Sequence, residues 1–319
     1  MRILSGIQPS GVLHIGNYFG MMRPAIGLQE EGEALYFIAN YHALTSLRDP
    51  LALRENTRRV ALDFLACGLD REKAMLFLQS DVPQVTELAW ILSTVAPMGL
   101  LERAHSYKDK VARGLPASVG LFSYPVLMAA DILIYDSEVV PVGRDQKQHV
   151  EITRDLAIKM NEIYGDILRV PEPRIHEQTH TVPGLDGQKM SKSYGNTLDI
   201  FAEEKELRKR VMSIVTDSSP IEARKDPAGS SILSLYSLVA TEGEVAATRA
   251  AFEQGGTGYG DFKKQLFGKL WEFFAPMRQR REEILAQPDY IDQVLQRGAQ
   301  RANAIADKVM ARVRSAVGL

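Results

Sequence analysis

Along the first half of the chain, short apolar runs alternate with longer stretches whose apolar positions recur at helical spacing. Residues 2–5, 34–39, 74–78 and 139–142 are short runs with few polar positions. Such runs predict strands buried on both faces of a parallel sheet, because crossover helices cover both sides. The segments between them predict helices from about His14 and over residues 51–67, 83–95, 124–135 and 145–164. This alternation predicts an α/β fold with a doubly wound parallel sheet. After about residue 182 the pattern changes. A Gly- and Lys-rich loop over 183–196 is followed by helical segments only, near 202–214, 230–240, 243–254, 261–286 and 288–317, with a polar break over 216–230. The expected division lies near residue 186, with an α/β domain over 1–186 and a smaller all-helical region over 187–319. The last helix is free to pack back on the first domain.

Composition narrows the class without naming a partner. The 319 residues are 45% hydrophobic and 24% charged, as in an ordinary globular protein with a sizeable core. A net charge of −2 does not exclude nucleic acid, since a near-neutral chain can still carry a local basic face. The single cysteine, Cys67, cannot form an internal disulfide or a cysteine-rich metal centre, and it sits in an apolar run as a small buried hydrophobe would. Residues 1–6 lack the continuous apolar region of a signal peptide. The most apolar later stretch, 124–135, contains Asp131 and is too short to span a bilayer. A reducing, cytoplasmic setting is therefore expected.

Three loops carry candidate chemistry. The first runs Gln8-Pro9-Ser10-Gly11-Val12-Leu13-His14-Ile15-Gly16-Asn17, from the end of a strand into a helix. Strand ends that meet helix starts are the usual ligand positions of such sheets, and unpaired N–H groups there suit phosphate. His14 and Asn17 lie three apart on the first turn and can face one ligand. By itself the stretch also reads as a glycine-rich turn with a helix cap. The second loop is Gly187-Gln188-Lys189-Met190-Ser191-Lys192-Ser193, whose two lysines can embrace a polyphosphate or simply be solvated. The third, Val142-Gly143-Arg144-Asp145-Gln146, offers polar groups for a ribose at another strand end, although Asp145 is equally suited to a helix cap. Asp131 stands apart from these loops. Its flanks are apolar, and a buried aspartate without a partner is costly, so a paired or functional role is expected.

Taken together and in this order, the first two loops resemble the HIGH and KMSKS motifs of class I aminoacyl-tRNA synthetases. Lys189-Met190-Ser191-Lys192-Ser193 matches the second in full, and Asn17 replaces the last histidine of the first, as is typical of the tryptophanyl branch. Residues 5–11, 124–133, 140–149, 215–218 and 258–260 are also similar to the bacterial members of that branch, and the likeness extends over nearly the whole chain. The resemblance implies a Rossmann-like catalytic domain over 1–186, containing the ATP and tryptophan site and the dimer interface. It places the lysine loop and a helical anticodon-binding region in 187–319.

The implied reaction is activation of L-tryptophan by ATP with Mg²⁺, followed by transfer to tRNA(Trp), in a cytoplasmic homodimer. Gln8, Pro9, Ser10, Gly16 and Asn17 would hold ATP. Gly143, Arg144 and Asp145 would contact its ribose and adenine side, Val182 would lie against the adenine, and Lys189, Met190, Ser191, Lys192 and Ser193 would close over the phosphates. His14, Asn17, Lys110, Lys189 and Lys192 would share the phosphate charge during catalysis. Asp131 would accept the indole N–H, while Tyr124, Met128, His42, Val140, Val142, Gln146 and Leu4 would shape the pocket. Leu4 departs from a related pocket that has an aromatic residue there, and the approach to the lysine loop over 183–187 is short. The sequence also admits three rivals: a tyrosyl-tRNA synthetase-like enzyme, a non-catalytic RNA-binding paralogue, and a nucleotidyltransferase that does not act on tRNA. A C-terminal arginine set, Arg278, Arg280, Arg281 and Arg297, is a candidate RNA-facing surface.

Overall fold

Strand β1 (Arg2–Ile7) buries Ile3 and Ile7 on one face and Leu4 on the other, and lies at the centre of a five-stranded parallel sheet. The computed structural model describes residues 1–9, 11–102, 104, 107–108, 118–143, 146–175 and 182–319. Among them the sheet order is β3 (Ala74–Leu78), β2 (Glu33–Ile38), β1, β4 (Val139–Val142), β5 (Glu172–Ile175). The register sets Leu4 beside Leu35 and Leu35 beside Met75, so three buried strands share one apolar row. The order reverses direction between β1 and β4, and the loops after those two strands begin at Gln8 and Gly143. This is the switch point at which ligands bind in open α/β sheets.

Four of the five strands fall where the apolar runs place them. The fifth, β5, reads Glu-Pro-Arg-Ile and is only half-buried, so it carries no apolar run, and its proline is tolerated because the strand lies at an edge. Among the helices, two departures from the pattern have a local cause. The helix expected from residue 124 starts earlier, as Val119–Leu133, because the Ser118 hydroxyl caps it by accepting from the Leu121 N–H. The single helix expected over 261–286 is two, Tyr259–Phe273 and Ala275–Leu285, with Pro276 in the first turn of the second.

The described residues fold as two compact units. Residues 1–11, 25–177 and 287–319 make the first, and residues 12–24 and 178–286 the second. This grouping is discontinuous, unlike the single break near residue 186 suggested by the pattern. One reason lies in the C-terminal helix, Tyr290–Val317, whose apolar face packs on β3 in the first unit. Gly298 makes the approach possible, since a β-carbon there would stand 2.0 Å from the Leu76 carbonyl oxygen. Exposed ion pairs rim this contact: Arg58 with Asp292 at 2.7 Å, Arg297 with Glu72 at 2.6 Å and Arg312 with Asp136 at 2.6 Å. Such pairs contribute at most about 1 kcal/mol each, so the buried apolar face holds the helix.

The other reason lies in the second unit. There the segment after β1 hydrogen-bonds backbone to backbone with the chain beyond the lysine loop, Ile15 N–H to Leu198 C=O at 2.8 Å and Ile200 N–H to Leu13 C=O at 3.4 Å. The polar break expected over 216–230 is built around Lys225, which is buried and donates to the carbonyls of Pro220, Ile221 and Ala223. The C-terminal arginines fall in different units, each with a local partner. Arg297 belongs to the first unit and pairs with Glu72, while in the second unit Arg278 lies 3.5 Å over the Trp271 ring, Arg280 pairs with Glu283 and Arg281 covers Phe201.

Candidate active site

The first unit holds a buried polar cluster at the carboxyl ends of β2 and β3. The helix Val119–Leu133 carries Tyr124, Met128 and Asp131 at spacings of four and three, so they share one face. Asp131 is 1% exposed. Its Oδ2 accepts from His42 Nε2–H at 2.8 Å, and Gln79 Nε2 lies 2.8 Å from Oδ1 and 2.9 Å from Oδ2. Burial pushes the carboxyl above its usual range, and the hydrogen bonds from His42 and Gln79 pull it back toward the ionised form. Oδ1 takes one of the three contacts and Oδ2 two, which leaves Oδ1 able to accept another donor. Leu4, Val140 and Val142 are buried in the same core cluster as the apolar flanks of Asp131, and Met128 packs against it.

A second chain of polar groups involves the same helix. The Tyr124 hydroxyl meets His149 Nε2, and His149 Nδ1 is 2.9 Å from Gln146 Oε1. An amide oxygen only accepts, so the proton sits on Nδ1, and Nε2 receives the tyrosine O–H. The rings of His42 and Tyr124 meet edge to face at 6.3 Å, which brings the two polar groups together. Gln79 and His149 were not singled out from the sequence. His149 had a signal, its spacing of three from Gln146 on one helix; Gln79 had none beyond its place at a strand end. Gln8 is exposed and Pro9 buried just after β1, and Gly143 follows β4. Ser10, Lys110, Arg144 and Asp145 lie outside the described residues.

The second unit joins the other two expected motifs. His14 caps the helix expected from about that position, which opens as Ile15–Asn17 and continues through a π-helical segment, Tyr18–Met22. Its Nδ1 accepts from the Asn17 backbone N–H at 3.2 Å, while the Asn17 side chain accepts from the His14 N–H at 3.2 Å. His14 is 6% exposed, and burial, with a smaller contribution from the charge of Lys192, holds its imidazole down at about 4. With Nδ1 accepting, the neutral ring carries its proton on Nε2, so His14 offers a hydrogen bond and no positive charge at pH 7.

Gly16 is the contact point with the lysine loop. Its N–H points at Met190 Sδ, 3.3 Å away, and a β-carbon there would come within 3.2 Å of Met190 Cβ. Met190 and Val182 are buried and joined by a backbone hydrogen bond of 2.9 Å, whereas Lys189, Lys192 and Ser193 are exposed. The loop is held from within by Asn196, 3% exposed. Its side chain accepts from the Ser191 N–H at 2.8 Å and donates to Asp186 at 2.7 Å and to the Lys189 carbonyl at 3.2 Å. Gly184 leaves room for it, since a β-carbon there would stand 2.3 Å from the amide. Asn196 is a further residue not singled out from the sequence. The short approach over 183–187 thus forms a tight, internally bonded turn that ends with two lysines in solvent. Among the described residues, no three His, Cys, Asp or Glu side chains stand together as a metal site.

The neutral His14 has a consequence for stability. Its folded value near 4 lies below the unfolded value of about 6.5, so the unfolded chain binds more protons between those limits. Stability is full above pH 6.5 and falls by up to about 3 kcal/mol as the pH drops to 4. Urea unfolding at pH 7 and pH 5 should show this loss, and His14→Gln should flatten it; an equal loss in the variant would refute the assignment.

Known proteins share this architecture. The family model described as tRNA synthetases class I (W and Y) matches residues 1–275. Tryptophan–tRNA ligase of Fusobacterium nucleatum is 52% identical over 319 residues, covering 100% of this chain and 98% of its own length. The corresponding ligase of Rhodopirellula baltica is 53% identical, with both chains covered in full. The crystal structure of tryptophanyl-tRNA synthetase from Campylobacter jejuni, solved with ADP and tryptophan, superposes with a TM-score of 0.95 at 50% identity and covers 100% of each chain. Sheet order, paired motifs and full-length similarity agree: the chain belongs to the class I tRNA synthetases of the tryptophan and tyrosine group, alongside the bacterial tryptophanyl enzymes.

Proposed function

We propose that this chain is an ATP-dependent tryptophan–tRNA ligase. A carboxylate oxygen of L-tryptophan attacks the α-phosphorus of ATP, the bond to the bridging oxygen breaks, and pyrophosphate leaves. A 3′-terminal ribose hydroxyl of tRNA(Trp) then attacks the carbonyl of tryptophanyl-adenylate, loses its proton and releases AMP. The first nucleophile is already ionised at pH 7, so positioning and charge stabilisation do the catalysis without a general base.

The observation that carries the reading is Asp131, a buried carboxylate with an acceptor position left over, on a helix face shared with Tyr124 and Met128. It would receive the indole N–H, with His42, Leu4, Val140, Val142 and Gln146 around the ring. Gln8, Pro9, Ser10, Gly143, Arg144, Asp145 and Val182 would bind the nucleoside side of ATP. Gly16, Asn17, Met190, Ser191 and Ser193 would frame its phosphates, and Lys110, Lys189 and Lys192 would carry their charge. His14 would act as a neutral donor through Nε2–H. Mg²⁺ would enter on the ATP phosphates as part of the substrate. Residues 1–186 would form the catalytic domain and the helices between Glu204 and Leu285 the anticodon-binding region, with the C-terminal helix serving the catalytic domain.

A homodimer is part of this reading. Among the described residues no helix is long and apolar enough to cross a membrane, and Cys67 is buried; a cytoplasmic setting is part of the same reading. The test is ATP–pyrophosphate exchange with each of the twenty amino acids in turn. Tryptophan should support exchange and tyrosine should not; exchange with tyrosine alone, or with none, would overturn the assignment in favour of the tyrosyl or non-catalytic alternative.

A further inference from the structure

We propose that Gln79 is a specificity-determining positioning residue, which clamps both oxygens of Asp131 so that the carboxylate faces a ring N–H donor. The proposal rests on the tryptophan reading above. Gln79 follows β3 directly and its side chain is fully buried, 0% exposed. Its Oε1 accepts from the Tyr41 backbone N–H at 2.9 Å. That bond determines which way the amide points. A flipped amide would lose the Tyr41 bond and turn a carbonyl oxygen onto a buried carboxylate, so the NH₂ group is held against Asp131.

The backbone that carries Tyr41 is itself pinned to the residue after Gln79. Asn40 Nδ2 donates to Ser80 Oγ at 2.7 Å, and Ser80 N–H donates to Asn40 Oδ1 at 3.1 Å. The turns after β2 and β3 therefore lock each other, and Gln79 passes that rigidity to the helix bearing Asp131.

His42 cannot replace this clamp, because it reaches Oδ2 alone. Without Gln79, Oδ1 has no donor among the described residues. The buried carboxyl is then free to rotate or to take a proton, and a protonated oxygen would present an O–H to a substrate N–H. Packing alone makes no such demand, since any side chain of similar length fills the space. The two roles are therefore separable.

The experiment uses the full chain and two substrates of one shape, L-tryptophan and L-3-benzothienylalanine, in which sulfur replaces the ring N–H. A site that hydrogen-bonds its substrate rejects an analogue lacking the donor by roughly 10⁴-fold. In Gln79→Met, which keeps length and loses the amide, the tryptophan to benzothienylalanine ratio of kcat/KM should fall at least about tenfold. The change should appear in the KM for the amino acid, with the KM for ATP unchanged. Gln79→Glu, which puts an acceptor where a donor is needed, should shift the ratio the same way and covers the case in which the methionine variant does not fold. An unchanged ratio in a folded variant would overturn the proposal. So would a loss that falls equally on ATP and on the melting temperature. If the unaltered chain shows no tryptophan-dependent exchange, the tryptophan reading itself fails.

Discussion

Asp131→Ala removes most tryptophan activation while the fold persists. The variant gives up a charge-assisted hydrogen bond to the substrate, worth about 1.5–3 kcal/mol, and leaves the desolvated indole N–H without an acceptor, at about 1–3 kcal/mol. The sum, about 2.5–6 kcal/mol, corresponds to a fall of roughly 10²- to 10⁴-fold in kcat/KM for tryptophan, measured by ATP–pyrophosphate exchange. The donors of His42 and Gln79 left behind cost stability and not activity, and removal of a carboxylate disfavoured by burial offsets part of that cost. ATP binding should be unaffected. Exchange at the unaltered rate would show that the indole is read elsewhere, and a molten variant would show that Asp131 serves the core.

The second large effect lies in the lysine loop. Lys192→Ala should lower the rate of adenylate formation by about 10²- to 10³-fold, the usual loss when one group stabilising transition-state charge is removed. Tryptophan affinity, read by fluorescence titration, should stay within about twofold, since the lysine acts on phosphate charge that develops during the reaction. The same substitution has a second readout. Lys192 contributes to the low pKa of His14, so the imidazole should titrate above its value of about 4 in the variant while remaining below 6.5, because burial is the larger cause. Single-turnover adenylate formation and histidine NMR give the two numbers separately. An unchanged rate would remove Lys192 from catalysis. A reduced rate with an unmoved His14 would keep it in catalysis and separate it from the His14 turn.

The two effects arise in regions that differ in how much the sequence shows. The parallel sheet was legible, because central strands must be apolar on both faces and residues 34–38 and 74–78 have little choice of composition. The half-buried edge strand Glu172–Ile175 escaped, because an edge imposes no such pattern. The lysine loop and the His14 turn were legible as residue types in order. Their physical connection was not: the Gly16–Met190 contact joins positions far apart in the chain, and glycine shows only that something comes close.

Asp131 stood out because a charge amid apolar flanks must be paired. Its partners, His42 and Gln79, come from turns after two other strands, where one polar residue looks much like another. Arg297 shows the converse. In the sequence it reads with Arg278, Arg280 and Arg281 as a basic face, and in the structure it pairs with Glu72 beside β3. By itself, the sequence determined the α/β class, the two motifs and the candidate carboxylate, because periodicity, backbone limits and the cost of burying charge act locally. The tertiary structure alone decided which groups orient that carboxylate, which protonation state His14 holds and which segments share a unit, because hydrogen-bond partners and desolvation depend on what the fold brings together.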